Sequence, residues 1–173
     1  MIACFLSHRK AWQHIVDQNY KSGLIFEDDA QIDHRQFSQA LKTANSQLRD
    51  NLIIQFKLKT PSATERKLGL YNHIYAPIVA PLGLVGYLIS QQAAKQLLLL
   101  TKKIDRPVDD FLRLTKLTRI YSGEIYPSGI KTIDAELGGS TIGNQNMKKQ
   151  DLSFLAKLSR EIKRVIYQAR LIV

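Results

Sequence analysis

The 173-residue chain contains a single cysteine, Cys4, so no disulfide can close within it and no thiolate cluster can gather a metal. A reducing compartment is the expectation. Long apolar runs are missing as well: stretches such as Leu97 to Leu100 fall far short of the roughly 20 residues that cross a bilayer. No basic segment followed by an apolar core of signal-peptide length stands at the N-terminus, so a cytoplasmic location is expected. Low-complexity and Ser/Pro/Gly-rich stretches are absent, which removes linkers and disorder from the default reading. Acidic residues are outnumbered, 15 against 25 Lys plus Arg, and the net charge of +10 favours polyanionic partners such as phosphorylated sugars, anionic lipid or nucleic acid. Lys148 to Val173 holds seven basic residues against two acidic ones and so carries half of that excess.

What is present is a hydrophobic fraction of 45%, enough for one domain with a real core. Between Ser7 and Gln18 the residues Ala11, Trp12, Ile15 and Val16 recur at helical spacing, with Ser7 at the capping position and Gly23 ending the following turn. Leu24, Ile25 and Phe26 form an apolar run that stops at Glu27, Asp28 and Asp29, the pattern of a buried parallel strand whose C-terminal end meets solvent. Open α/β sheets bind their ligands at such ends. A helix is predicted over Asp33 to Leu48, a strand over Leu52 to Phe56, and extended segments over Tyr71 to Val79 and Leu82 to Ile89. Ser90 caps a helix running to Lys102, Pro107 opens a short one, and Ile120 to Tyr126 reads as a strand. A loop through Gly138, Gly139 and Gly143 and a basic amphipathic helix from Asp151 to Leu171 complete the chain. The alternation predicts an α/β sandwich with a largely parallel sheet, entered without the opening strand and glycine turn that usually start a nucleotide-binding unit.

Consecutive carboxylates at Glu27, Asp28 and Asp29 repel one another unless a cation, a ribose hydroxyl or water relieves them. A hard divalent ion, Mg²⁺ or Mn²⁺, is the functional reading, and a solvated acidic turn is the structural one; both stay open at this point. Asp109 and Asp110 lie at a predicted helix start, where the dipole alone stabilises acidic side chains by about 0.3 to 1 kcal/mol, and where one of them could instead serve as a general base. Ser7 and His8 begin the first helix, where free N–H groups could meet a phosphate and the imidazole add a donor, and where a Ser cap followed by an exposed His is the common structural reading. His14, His34 and His73 share no zinc-like spacing and read as surface residues. In the tail, Phe154, Leu155, Leu158, Ile162, Val165 and Ile166 form an apolar stripe beside Lys157, Arg160, Lys163 and Arg164, suited to an anionic membrane surface or to packing on the domain. Nucleic-acid binding is not expected, because no helix-turn-helix, RRM or KH signature accompanies the charge.

Taken in order, IACFLSH (Ile2 to His8), Trp12, LIFEDDA (Leu24 to Ala30), GYLIS (Gly86 to Ser90) with Ala93 and Ala94, and PVDDF (Pro107 to Phe111) resemble glycosyltransferase family 25. STIG, Ser140 to Gly143, extends the likeness, although Gly139 stands where the family has an acidic residue and Glu136 lies nearby. The resemblance implies a GT-A-like, Rossmann-like mixed sheet, mainly parallel and flanked by helices, over residues 1–147, followed by the basic helix 148–173. It implies transfer of a hexose, galactose or glucose, from a UDP-sugar to a lipopolysaccharide or lipooligosaccharide acceptor, with inversion at the anomeric carbon. Glu27 to Asp29 look like the family's DxD element. That makes Asp29 and Glu27 the implied ligands of Mn²⁺ or Mg²⁺, with Glu27 and Asp28 near the ribose and with Ser7 and His8 toward the donor. Asp109 or Asp110 is the implied base. Gly86 and Tyr87 match an element in which glycine admits a close ligand and an aromatic ring stacks on a sugar, with core packing the simpler view of Tyr87. The implied partners are a nucleotide sugar, a lipid-linked oligosaccharide and, peripherally, the anionic inner face of a bacterial inner membrane. Family members carry further residues ahead of the position of Met1, so the expectation is a chain lacking that first unit. The alternative function is then a catalytically impaired relative that binds anionic lipid or glycan.

Overall fold

The computed structural model describes residues 2–59, 66–67, 74–76, 84–104, 106–113 and 118–133. The predicted tail helix, the Gly-rich loop, Glu136 and the STIG segment lie outside the described residues.

Helix α1, Ile2–Asp17, buries Phe5, His8, Trp12 and Ile15, a stripe at three- and four-residue spacing. This stripe starts ahead of Ser7, and so does the helix, which corrects the expectation that Ser7 caps it. The Ser7 hydroxyl donates to Ala3 O at 3.2 Å, within the helix. The C-terminal turn closes at Asn19, whose φ of 53° is left-handed, with Asn19 N donating to Val16 O at 3.1 Å and Tyr20 N to Ile15 O at 3.0 Å. Strand β1, Ser22–Phe26, follows, then β2, Ala30–Ile32. Helix α2, His34–Gln47, is capped by the Asp33 carboxylate, which accepts from Gln36 N at 3.0 Å. After β3, Leu52–Phe56, come the short strands β4, Arg66–Lys67, and β5, Ile74–Ala76. Strand β6, Gly86–Ser90, runs directly into α3, Gln91–Leu100, with the Ser90 hydroxyl accepting from Ala93 N at 3.2 Å. Helix α4, Val108–Arg113, and strands β7, Tyr121–Ile125, and β8, Ile130–Thr132, finish the described chain.

The main sheet has six strands in the order β1-β6-β3-β7-β5-β4, and β2 pairs with β8 in a separate ribbon. The α/β class, a mixed sheet flanked by helices, is as expected, but the pairing is mainly antiparallel. Among the described strands only β3 and β7 form a parallel ladder. Strands β1, β3 and β7 do point the same way, and β6 inserts between β1 and β3 in the opposite sense. All five residues of β6 are buried, the pattern of a parallel core strand. Here it arises because both faces are covered, whichever way the strand runs.

On one face, α1, α3 and α4 bring Phe5, Trp12, Ala94, Leu97 and Phe111 onto Ile53, Tyr87 and Ile89. On the other, α2 and the β2–β8 ribbon bring Phe37, Ala40, Ala44 and Ile130 onto Ile54, Phe56, Leu88 and Ile125. The Phe37 ring lies 5.4 Å from that of Phe26 and 5.0 Å from that of Phe56, tying β1, α2 and β3 together. Neither strand of the ribbon was expected from sequence, since three residues are too few to show a period.

Candidate functional site

The acidic triplet forms the turn that leads from β1 into β2. Glu27 N donates to Val85 O at 2.9 Å, which carries the β1–β6 contact one residue further, and Ala30 N donates to Glu27 O at 3.3 Å, which closes the turn. Asp28 is exposed, whereas Glu27 and Asp29 are half-buried. Strand β8 holds Asp29 from the far side: Thr132 Oγ1 donates to Asp29 Oδ2 at 2.7 Å, and Ile133 N donates to the Asp29 carbonyl at 3.0 Å. The other carboxylate oxygen, Oδ1, is buried with no hydrogen-bond partner. A buried acceptor left in that state costs free energy unless something else meets it.

Glu27 faces α1, with Oε1 3.7 Å from His8 Nε2. The other imidazole nitrogen, Nδ1, is 2.8 Å from the Tyr87 hydroxyl, which also accepts from Trp12 Nε1 at 2.9 Å. The His8 and Tyr87 rings stack at 5.7 Å and 29°. Burial pushes the Tyr87 phenol far above its ordinary range, the nearby Glu27 charge adding to the effect and the Trp12 hydrogen bond opposing it. Tyr87 is only 1% exposed and His8 5%, so both belong to the floor beneath the acidic turn rather than to its surface.

Helix α4 stands on the same side. Phe111 packs edge-on against Phe5 at 5.5 Å, which places Asp109 and Asp110 in the first helical turn next to the start of α1. Cys4 registers the arrangement: its thiol is pushed up first by burial, then by Glu27, with Asp109 and Asp28 adding to the effect. The two acidic segments, the turn at Glu27 and Asp28 and the start of α4 at Asp109, therefore act on one locus. Ser7 is exposed on α1, and its place within the helix leaves no free N–H groups of a helix start beside it. At Gly86 a Cβ would stand 2.7 Å from Ile130 Cδ1 and 2.9 Å from Phe26 Cδ1, so the close approach that glycine permits is made by the protein's own core.

Sequence reasoning missed a row of residues crossing the sheet through Tyr87. Ile25 pairs with Tyr87, Tyr87 with Gln55, and Gln55 with Glu124, and directly paired residues share a face. Glu124 is wholly buried, with Oε2 3.0 Å from Lys57 Nζ, and Gln55 Nε2 is buried without a hydrogen-bond partner. The only available signal was a polar residue inside each of two apolar strands, LIIQF and YSGEI, which alternation alone assigns to a solvated face.

Two donor sets could take a cation. Cys4, His8 and Glu27 offer ligand atoms within 4.8 Å of one another, a zinc-like combination. Zinc needs a thiolate, and the raised Cys4 pKa opposes one. Glu27, Asp28 and Asp29 offer only oxygen, the choice of Mg²⁺ and Mn²⁺, and the partnerless Asp29 Oδ1 fits a ligand oxygen. Among the described residues these three carboxylates do not converge as a three-ligand cage, in keeping with ions that take one or two carboxylates and fill the shell with water and phosphate. A depression lined by Lys21, Arg49, Ser90 and Gln91 lies at the opposite end of β1 and β6, away from this chemistry. No helix among the described residues is long and apolar enough to cross a membrane.

The fold and site thus define a mixed α/β domain with an acidic turn at the end of β1. The profile of glycosyltransferase family 25 (LPS biosynthesis protein) matches residues 1–112, and the chain belongs to that family. The match takes in Glu27 to Asp29, His8, Tyr87, Asp109 and Asp110, and ends before Glu124 and Thr132. The chain is also 32% identical over 119 residues to procollagen galactosyltransferase 1 of Danio rerio, an alignment covering 64% of this chain and 19% of that protein. It therefore spans about a fifth of the length of that relative.

Proposed function

We propose that the protein is a hexosyltransferase that takes galactose or glucose from a UDP-sugar and transfers it to a saccharide acceptor of the lipopolysaccharide or lipooligosaccharide type, with inversion. The observation that carries the reading is Asp29, held through one oxygen by Thr132 while its other oxygen is buried and unmet, at the end of the strand that also bears Glu27 and Asp28. Asp29, with Glu27, would hold Mn²⁺ or Mg²⁺ against the donor diphosphate. When bound, such an ion stabilises the charge that develops on the departing UDP. Asp28, exposed beside them, suits the ribose hydroxyls or water ligands of the ion. Asp109 or Asp110, on the same side of the molecule, is the base that takes the proton from the acceptor hydroxyl. Membership in family 25 and likeness to a galactosyltransferase support a sugar donor. The positive charge of the chain favours an acceptor bearing phosphate and contact with an anionic membrane.

Isothermal titration with UDP and UDP-galactose, with and without Mn²⁺, tests the reading. Metal-dependent binding by the wild-type chain and its loss in Asp29→Ala are expected. Metal-independent binding, or equal binding by the variant, would remove Asp29 from the site. Folded protein that binds neither ligand would favour a non-catalytic relative that holds anionic glycan or lipid.

A further inference from the structure

The contacts around Tyr87 determine which nitrogen of His8 carries hydrogen. The Trp12 indole has only an N–H to give, so its 2.9 Å contact makes the Tyr87 oxygen an acceptor. The phenol hydrogen then needs an acceptor of its own, and at 1% exposure Tyr87 has no bulk water to supply it. His8 Nδ1, 2.8 Å away, is the group within reach. With a hydrogen on Nδ1 the phenol O–H would point at another hydrogen and be left buried without a partner. The stable arrangement has Trp12 donating to Tyr87, Tyr87 donating to Nδ1, and the imidazole hydrogen on Nε2, the nitrogen that faces Glu27 Oε1 at 3.7 Å.

We propose that Trp12, Tyr87 and His8 are positioning residues for Glu27: the hydrogen-bond chain locks the His8 tautomer, and the Nε2–H anchors one carboxylate oxygen so that the other is presented to the donor. This rests on the reading of the acidic strand end as the donor site. The 3.7 Å contact is an ion-pair spacing, longer than a hydrogen bond, and it shortens when Glu27 engages its ligand. The network also opposes a zinc ion on Cys4, His8 and Glu27, because a metal on Nε2 needs a lone pair there and hence the tautomer that orphans the phenol hydrogen.

The experiment is ¹⁵N NMR of the histidine side chains in the full chain at about pH 8.5, above the ordinary imidazole range, with no nucleotide present. His8 is assigned by the signals lost in His8→Gln. A protonated-type Nε2 and an unprotonated-type Nδ1 are expected. Tyr87→Phe keeps the ring and removes the donor, so His8 should move toward a mixture of tautomers, and UDP affinity in Mn²⁺ should weaken by about tenfold, as loss of one hydrogen bond predicts. Glu27→Gln should leave the tautomer unchanged, because Tyr87 sets it, and this variant carries the test if Tyr87→Phe does not fold. A wild-type Nδ1–H tautomer, a flip in Glu27→Gln, or Zn²⁺ shifting the His8 resonances at micromolar concentration would overturn the proposal. So would a Tyr87→Phe variant with unchanged tautomer and affinity. A locked Nε2–H tautomer in protein that binds no UDP would refute the donor reading instead, so the two failures are distinguishable.

Discussion

Gly129→Ala should unfold the protein well before it reaches the urea concentration that the wild type tolerates. Gly129 has a φ of +73°, and a Cβ built there would lie 2.5 Å from Phe37 N and 3.0 Å from Gln36 C, both backbone atoms in the first turn of α2. The left-handed conformation costs an L-residue about 1 to 2 kcal/mol. Crowding against atoms that cannot rotate away adds about 1 to 3 kcal/mol. Relief by moving β8 off α2 would stretch the 2.8 Å bond from Asp33 N to Gly129 O and pull Thr132 from Asp29. The expected loss is therefore about 2 to 5 kcal/mol, which at a urea m-value of about 2 kcal/mol/M lowers the midpoint by about 1 to 2.5 M. Trp12 is the one tryptophan and is fully buried, so its fluorescence reports the transition without a label. A loss under about 0.5 kcal/mol would mean that β8 and α2 are not packed through Gly129 as described, because a surface alanine falls within that range.

Two further outcomes follow from groups whose ionisation the fold perturbs. The Cys4 thiol, pushed up by burial and then by Glu27, should react with iodoacetamide more slowly than the denatured chain, with its onset at higher pH; Glu27→Gln should bring that onset part of the way back, and an onset unmoved by folding would refute the site's acidity. Because the folded thiol holds its proton more tightly than the unfolded one, its stabilising contribution is complete below the unfolded pKa and is lost as pH rises toward the folded value. Asp33 behaves oppositely: its bond from Gln36 N lowers its pKa, so its contribution is complete above the ordinary aspartate range and is lost as pH falls through the folded value. Asp33→Asn, which retains a capping oxygen without the charge, should flatten the acid limb of a midpoint-against-pH plot, and an unchanged limb would show that Asp33 does not set it.

Most elements of the described fold could be read from local signals. Helix α2, the strand Leu52–Phe56 and the Ser90 cap of α3 stand where periodicity and capping chemistry put them, while the Asp33 cap of α2 came from the structure. The sense of the sheet was not readable in this way. Apolar runs record that a strand is covered on both faces, and β6 is covered by α1 and α3 on one side and by α2 and the ribbon on the other. That burial looks the same whether the neighbours run parallel or antiparallel, so the β6 insertion had no sequence signature. The start of α1 was misread for a simpler reason. Ser7 has capping chemistry, but Phe5 already belongs to the buried stripe, and the energy of burying that stripe outweighs the preference of one serine for a helix end.

Within the site, what could be read was what is contiguous in the chain. Glu27 to Asp29 and Asp109 to Asp110 stand out because like charges are adjacent. What completes them is brought from far away: Thr132 reaches Asp29 across 103 positions, and Tyr87 reaches His8 across 79. The same holds for Lys57 and Glu124, joined only because β3 and β7 are parallel neighbours. A fully buried carboxylate is costly even when paired, and the partly exposed Lys57 does not by itself make such a pair favourable over apolar residues of the same size. Glu124 lies beside Gln55, whose Nε2 is buried without a hydrogen-bond partner, in the row that also contains Tyr87. Gln55 lies one strand and Glu124 two strands beyond Tyr87, on the same face of the sheet. No local pattern could have announced their burial, since the alternation that marks Gln55 and Glu124 as polar assigns them to solvent, and both are buried in the folded chain.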